Sequence, residues 1–229
     1  AAQRTVRVLC LARLADLERR SGRARDAYLS TYSAWLLWEE AEDKAPQLAL
    51  LLARPMGLQS AALCRFHESQ LWFEWALKQL NVLRQDNTVI GIELREQWGE
   101  VSLAAGDAER AMKLADENLS AVAGGPFPAD ADPATAAPAV LFLAAAEPRL
   151  DLHRLAEARA RLERAIALAD ARDDATMRQR GRCAMAVVAL RERDAAAADR
   201  WLKAAGLEGP ASGAGGAGGA GGASGARAA

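Results

Sequence analysis

A chain of 229 residues with a formal net charge of −1 has no global pull toward nucleic acid or anionic lipid. Its hydrophobic content of 51% rests largely on alanine, and no run of about 18 apolar residues predicts a membrane span. Cys10, Cys64 and Cys183 are isolated and odd in number. That pattern argues against a disulfide framework and predicts small core residues in a reducing cytoplasm. No charged start leads into an apolar signal stretch, and the start at Ala1 rather than Met predicts a piece of a larger protein.

The predicted elements are all helical. Apolar residues at helical spacing (Val8, Leu11, Ala15) mark a first helix from about Arg4 to Arg20. Gly22 ends it, because glycine takes the left-handed cap geometry without strain. Asp26 then favours the start of a second helix, which runs to about Glu42 and is stopped by Pro46. The next unit spans Gln47 to Arg65, with a kink or break expected at Pro55 and Gly57, and then Glu68 to Gln85. Thr88 to Ala105 and Ala108 to Val122 form a third pair around Gly106-Asp107. A Gly/Pro/Asp/Ala stretch at 124–138 reads as a long loop, either an insertion on one face or a boundary between sub-arrays. Ala139 to Glu147 with Leu155 to Ala171, and Ala175 to Arg191 with Ala195 to Ala205, make the fourth and fifth pairs. The tail at 206–229 is nearly all Gly and Ala beyond Gly213 and is expected to be a disordered linker.

One phrase recurs along this order. Gly22 is followed by Ala27 and Ala34, Gly106 by Ala111, His153 by Ala158 and Ala165, and Arg193 by Ala198 and Ala205. Cys64, Ser69 and Ala76 occupy the same places in the least regular copy. The copies recur at roughly 40–47 residues, which is the mark of a solenoid of stacked helix pairs. The turn glycine, the alanine five residues on and the small residue seven after that resemble the tetratricopeptide repeat. The mid-helix aromatic of such repeats is mostly missing here, and the spacing exceeds their usual length, which marks a divergent member. The stretch Leu155–Asp174 resembles the repeats of large bacterial regulators of the MalT/LuxR type and of repeat-bearing diguanylate cyclases.

The resemblance covers about residues 4–205. It implies an all-α, right-handed solenoid of about five antiparallel helix pairs, with repeats 1–3 in 1–123 and repeats 4–5 in 139–205. It further implies that the first helix of each pair lines a concave face where peptides or partner domains dock. Projected onto this chain, the outward groups of that face are Asp16, Arg19, Arg20, Arg54, Glu96, Glu100 and Arg180. The paired Lys/Asn pattern by which some relatives clamp a terminal carboxylate is absent.

Trp35/Trp38 and Trp72/Trp75 are each spaced i,i+3, so each pair shares a helix face. They form either a bulky seam between units or an aromatic binding patch. The arginines at 13, 19, 20, 23 and 25, and those at 178, 180 and 182, read as solvated faces and caps, as does the acidic group Glu39, Glu40, Glu42 and Asp43. Arg19 and Arg20 have a second reading, as a cradle for an acidic peptide.

Chemistry for catalysis is thin. His67 and His153 are the two histidines, each near a turn, and no metal-ligand spacing, nucleophile elbow or phosphate loop occurs. Glu93, Glu96 and Glu100 near Trp98 are the one carboxylate group that a helical hydrolase would need. The sequence therefore predicts a non-catalytic, cytoplasmic module without a cofactor that binds protein or peptide and neither nucleic acid nor membrane, with homo-oligomerisation left open. A regulatory scaffold in a bacterial signalling protein, the effector-binding repeats of a LuxR/MalT-type activator, the repeats of a diguanylate cyclase and a helical hydrolase stand as the readings, in that order.

Overall fold

The computed structural model describes residues 2–41, 44–123 and 138–207. Ten α-helices make up this described part: α1 (Ala2–Arg20), α2 (Ala24–Glu39), α3 (Pro46–Ala62), α4 (Phe66–Val82), α5 (Val89–Ala104), α6 (Ala108–Ala123), α7 (Ala139–Asp151), α8 (Leu155–Ala171), α9 (Ala175–Arg191) and α10 (Ala195–Ala204). They pair in sequence as five antiparallel hairpins, and each hairpin also packs on the next. Residues 124–137 of the loop expected at 124–138, the acidic pair Glu42/Asp43 and the tail beyond Leu207 lie outside the described residues.

One local geometry closes all five hairpins. Gly22, Cys64, Gly106, His153 and Arg193 have φ between +56° and +81°. At each turn the next residue's N–H donates across it to a carbonyl of the preceding helix. The bonds run from Arg23 to Glu18 (2.9 Å), Arg65 to Ser60 (2.8 Å), Asp107 to Ser102 (2.8 Å), Arg154 to Arg149 (2.8 Å) and Asp194 to Ala189 (2.9 Å). This is the Schellman closure, which satisfies carbonyls that a helix end leaves open. Asp107, Asp174 and Asp194 then cap the helices they precede, each accepting from a main-chain N–H at 2.8–3.1 Å.

Five residues past each turn stands a small, buried side chain: Ala27, Ser69, Ala111, Ala158 and Ala198. At this depth a larger side chain would force the helices of a hairpin apart. In α4 the approach is directly visible, since the Ser69 hydroxyl donates to the Gly57 carbonyl of α3 at 2.6 Å. The second small position holds Ala34, Ala76, Ala165 and Ala205, but the third copy has Asn118 there. Its amide donates to the Ile92 carbonyl (3.0 Å), and its oxygen accepts from Arg95 (3.3 Å), so a polar bridge ties α5 to α6.

Three expectations about proline and glycine need correction. Pro46 does not stop α2, which ends at Glu39; it opens α3, where its missing N–H costs nothing. α3 runs through Pro55 and Gly57 as one helix. Gly57 is there for close packing, because a Cβ at this position would come within 2.8 Å of the Phe73 ring. α7 likewise continues past Pro148 to Asp151, since Pro148, Arg149 and Leu150 are all buried and tertiary packing outweighs the local cost. The cysteines are also not core residues: Cys10 and Cys64 are exposed and Cys183 is half-buried.

Two large hydrophobic clusters run along the array, with a small third one of Ala186, Ala189 and Ala198 in the last hairpin. One gathers Trp35, Phe73, Leu94, Trp98 and Leu114, and the other Leu119, Phe142, Leu162 and Met185. α6 supplies Leu114 to the first and Leu119 to the second. A buried guanidinium secures the next joint. Arg149 donates to both carboxylate oxygens of Asp116 on α6 (2.9 and 2.8 Å), to Glu157 on α8 (3.3 Å) and to its own helix at Ala145 (2.7 Å).

The turn geometry gives a direct expectation. A Cβ at Gly22 would meet nothing within 4 Å, so Gly22→Ala acts through the backbone alone. It should lower stability by about 1 kcal/mol, whereas Arg193→Gly should raise it by a few tenths to about 1 kcal/mol. Urea denaturation of the full chain followed by circular dichroism reads both; a loss of stability in Arg193→Gly would contradict the turn account.

Candidate binding face

The first helices of successive units meet one another: α1 touches α3, α3 touches α5, and α7 touches α9. The backbones of the second helices stand farther apart, and α2 meets α4 through long side chains instead. A stack that is tighter on one side curves toward that side. The face of α1, α3, α5, α7 and α9 is therefore concave, and α2, α4, α6, α8 and α10 back it.

At one end of this face a slot of about 380 Å³ opens between α1 and α3. Leu9, Ala12, Ala15, Leu51, Leu52 and Pro55 make its walls apolar, and Thr31 of α2 and Gln59 add polar atoms. Arg13, Asp16 and Arg19 form the rim. Asp16 takes three arginines at once, Arg13 at 3.3 Å, Arg19 at 2.9 Å and Arg20 at 3.0 Å. Hydrogen bonds from Arg19 and Arg20 hold its carboxyl below the usual value. Three guanidiniums on one carboxylate leave a net positive rim.

Farther along, Arg54 reaches from α3 to α5, pairing with Glu93 (3.1 Å) and donating to Gln97 (2.7 Å). This half-buried pair fixes orientation more than it stabilises. Beyond it lies a hollow of about 100 Å³ between α5, α6, α7 and α9, bounded by Glu96, Glu100, Glu147, Arg95 and Arg180. Burial pushes the Glu96 carboxyl up, Glu100 and Glu93 push it further, and Arg180 opposes them. Burial also raises Glu147, with Arg180 acting against it and Glu100 and Asp151 adding to it. The concave face thus passes from a basic, apolar end to an acidic centre.

The structure distributes the seven groove residues expected from the sequence. Asp16 and Arg19 flank the slot with Arg20 beside them, Arg54 spans the middle, and Glu96, Glu100 and Arg180 bound the acidic hollow. Sequence reading missed Gln59, Pro55, Glu147 and the buried Arg95. The signal for the first two was present: Leu51, Pro55 and Gln59 repeat at i,i+4 and so share one row of α3.

The four tryptophans lie on the opposite side. Trp35 meets Trp38, Trp72 and Trp75 at ring-centroid distances of 4.7 to 5.0 Å, and Trp38 meets Trp75 at 6.2 Å. Trp35 is buried and the other three are half-buried. These large rings fill the wider gap that curvature leaves between α2 and α4. Glu93, Glu96 and Glu100 do not converge with Trp98, which is buried in the first cluster away from the hollow. Among the described residues no group of His, Cys, Asp and Glu side chains could hold a metal ion.

No protein-family model matches the sequence, and no curated protein sequence matches it. Solved structures do match the fold. BtubC (BKLC) from P. vanneervenii superposes with a TM-score of 0.68 at 16% identity, over 90% of this chain and 87% of that one. A structure of nearly identical TPR-like repeats from Podosopora anserina gives 0.72 at 13% identity, over 87% and 92%. This chain has a TPR-like helical repeat fold. Bacillus thuringiensis PlcR, solved with the peptide PapR7 and DNA, adds a third likeness at 0.55 and 12% identity, over 88% and 69%. Within the TPR-like array, the turn residues Cys64, His153 and Arg193 hold left-handed positions that glycine takes at Gly22 and Gly106. No helix among the described residues is long and apolar enough to cross a membrane.

The raised carboxyls carry a pH signature. A carboxyl whose folded value is raised penalises the fold while ionised, and the penalty disappears once pH falls below the unfolded carboxylate range. Glu96→Gln should therefore raise the urea midpoint near pH 7 and lose that advantage near pH 4, as denaturation at the two pH values will show. A midpoint gain that is equal at both would contradict a half-buried Glu96 repelled by Glu100 and Glu93.

Proposed function

We propose that this chain is a non-catalytic module that binds an extended peptide or protein segment along its concave face. The observation that carries this reading is the apolar slot at the basic end of a surface whose centre is acidic. A rigid trough with a graded charge selects a ligand of opposite gradation, acidic toward α1 and basic toward α5 and α7. The cost of holding Glu96 and Glu147 ionised falls when a ligand cation arrives, so the acidic hollow favours a lysine or arginine side chain. Bacillus thuringiensis PlcR, similar in fold, was solved with a peptide bound, which accords with this use of such an array.

In this reading the array is a regulatory scaffold of a signalling protein in a reducing, cytoplasmic setting. The likeness of Leu155–Asp174 to bacterial regulator repeats and the three free cysteines support that placement.

Selection of random twelve-residue peptides on phage against the full chain tests the proposal. Enriched peptides should carry acidic and basic residues at opposite ends. Their affinity, read by fluorescence anisotropy, should fall by roughly tenfold or more in Arg19→Glu/Arg20→Glu and again in Glu96→Lys/Glu100→Lys. No enrichment, or enriched peptides that bind both variants as well as the parent chain, would overturn it.

A further inference from the structure

The slot between α1 and α3 brings together a buried side-chain oxygen without a partner and a main-chain carbonyl that a proline deprives of its ordinary helical donor. Gln59 is 2% exposed, lines the slot, and its side-chain oxygen accepts no hydrogen bond. Buried amides are nearly always paired, so an unpaired one at a cavity wall marks a place where a partner is missing. The second group belongs to the main chain. Pro55 has no N–H, so the carbonyl of Leu51, one turn earlier in α3, lacks its ordinary helical donor. Leu51 and Pro55 also line the slot.

These groups stand in an order that means something chemically. Leu51, Pro55 and Gln59 follow one another at i,i+4 along the row of α3 that faces α1. The row reads as a main-chain acceptor, an apolar surface, and an amide that can both accept and donate. The main chain of an extended peptide offers the matching N–H and C=O groups at its own regular spacing. Between them, Leu9, Leu52 and Pro55 leave apolar room for one aliphatic side chain. Outside, Arg13, Arg19 and Arg20 share Asp16 alone, so two positive charges remain for flanking carboxylates.

Building on the peptide-binding reading, we propose that the α1–α3 slot grips the main chain of an acidic peptide segment. A segment N–H donates to the Leu51 carbonyl, the Gln59 amide pairs with a second main-chain group, and an aliphatic side chain enters between Leu9 and Pro55. Glutamates or aspartates on either side meet Arg13 and Arg19.

The test uses the full chain labelled with ¹⁵N and a capped heptapeptide with leucine between two pairs of glutamates and a glycine at each end. A second heptapeptide carries an N-methyl group on the leucine nitrogen. The first should produce saturable shifts in the Gln59 side-chain amide and in main-chain amides of 9–19 and 51–59. N-methylation, Gln59→Leu and Pro55→Ala should each weaken it by roughly tenfold or more. Pro55→Ala is the decisive variant, because it returns the missing N–H to Leu51 while favouring the helix. Saturable binding that ignores both N-methylation and Pro55→Ala would overturn the main-chain grip and leave the concave-face reading standing. Shifts confined to α5 and α7 with phage-selected peptides would also overturn the slot proposal alone. Failure of the heptapeptide and of every selected peptide would remove both.

Discussion

Backbone proximity within each hairpin is the constraint on which this molecule depends. Ala27, Ser69, Ala111, Ala158 and Ala198 are buried where two antiparallel helices must come close, and a left-handed residue five positions earlier sets the angle at which they return. Both features are needed. The turn without the small residue would splay the helices, and the small residue without the turn would have no helix to meet. The same closure recurs at Arg84 and Asp173, between hairpins, where Gln85 and Asp174 donate across the turn at 2.8 Å. Repetition of one local solution produces the curved stack, and the curvature in turn produces the two unequal faces.

Those faces are filled differently. On the wide side, between α2 and α4, four indoles occupy the gap and close it. On the narrow side the first helices of neighbouring units touch, yet α1 and α3 part enough to leave a slot lined by Leu9, Leu52 and Pro55. The largest aromatics thus lie on the back, and the front keeps an aliphatic slot with the unpaired Gln59 oxygen at its wall, the feature on which the proposed binding role rests. The charge order of that front, three arginines around Asp16 followed by Glu96, Glu100 and Glu147, is what would orient the proposed peptide.

Much of the fold was legible because its determinants are local. The spacing of turn and small residues located all five hairpins, including the one where Cys64 and Ser69 stand in for glycine and alanine. The prolines were misread for a physical reason. A sequence rule weighs the lost hydrogen bond and the ring clash, whereas the native helix also gains the burial of Met56 after Pro55 and of Leu150 after Pro148. The site was legible only in outline. Arg19, Glu96 and Arg180 were assigned to the inner helices by what the repeat resemblance implies. Gln59 could not be singled out, since what marks it is an unpaired amide oxygen beside a slot whose other wall comes from α1, some 40 to 50 residues away in the chain. Arg95 and Arg149 were hidden likewise, because the carboxylates that pair with them, on Glu117, Asp116 and Glu157, belong to neighbouring helices.

Hydrogen exchange of the full chain with and without a saturating peptide selected on it addresses the central claim most directly. The account predicts slower exchange confined to α1, α3, α5 and α7, strongest over Leu9–Arg19 and Leu51–Gln59. Slower exchange centred on α2 and α4, around the indole seam, would show that the back and not the trough receives the ligand.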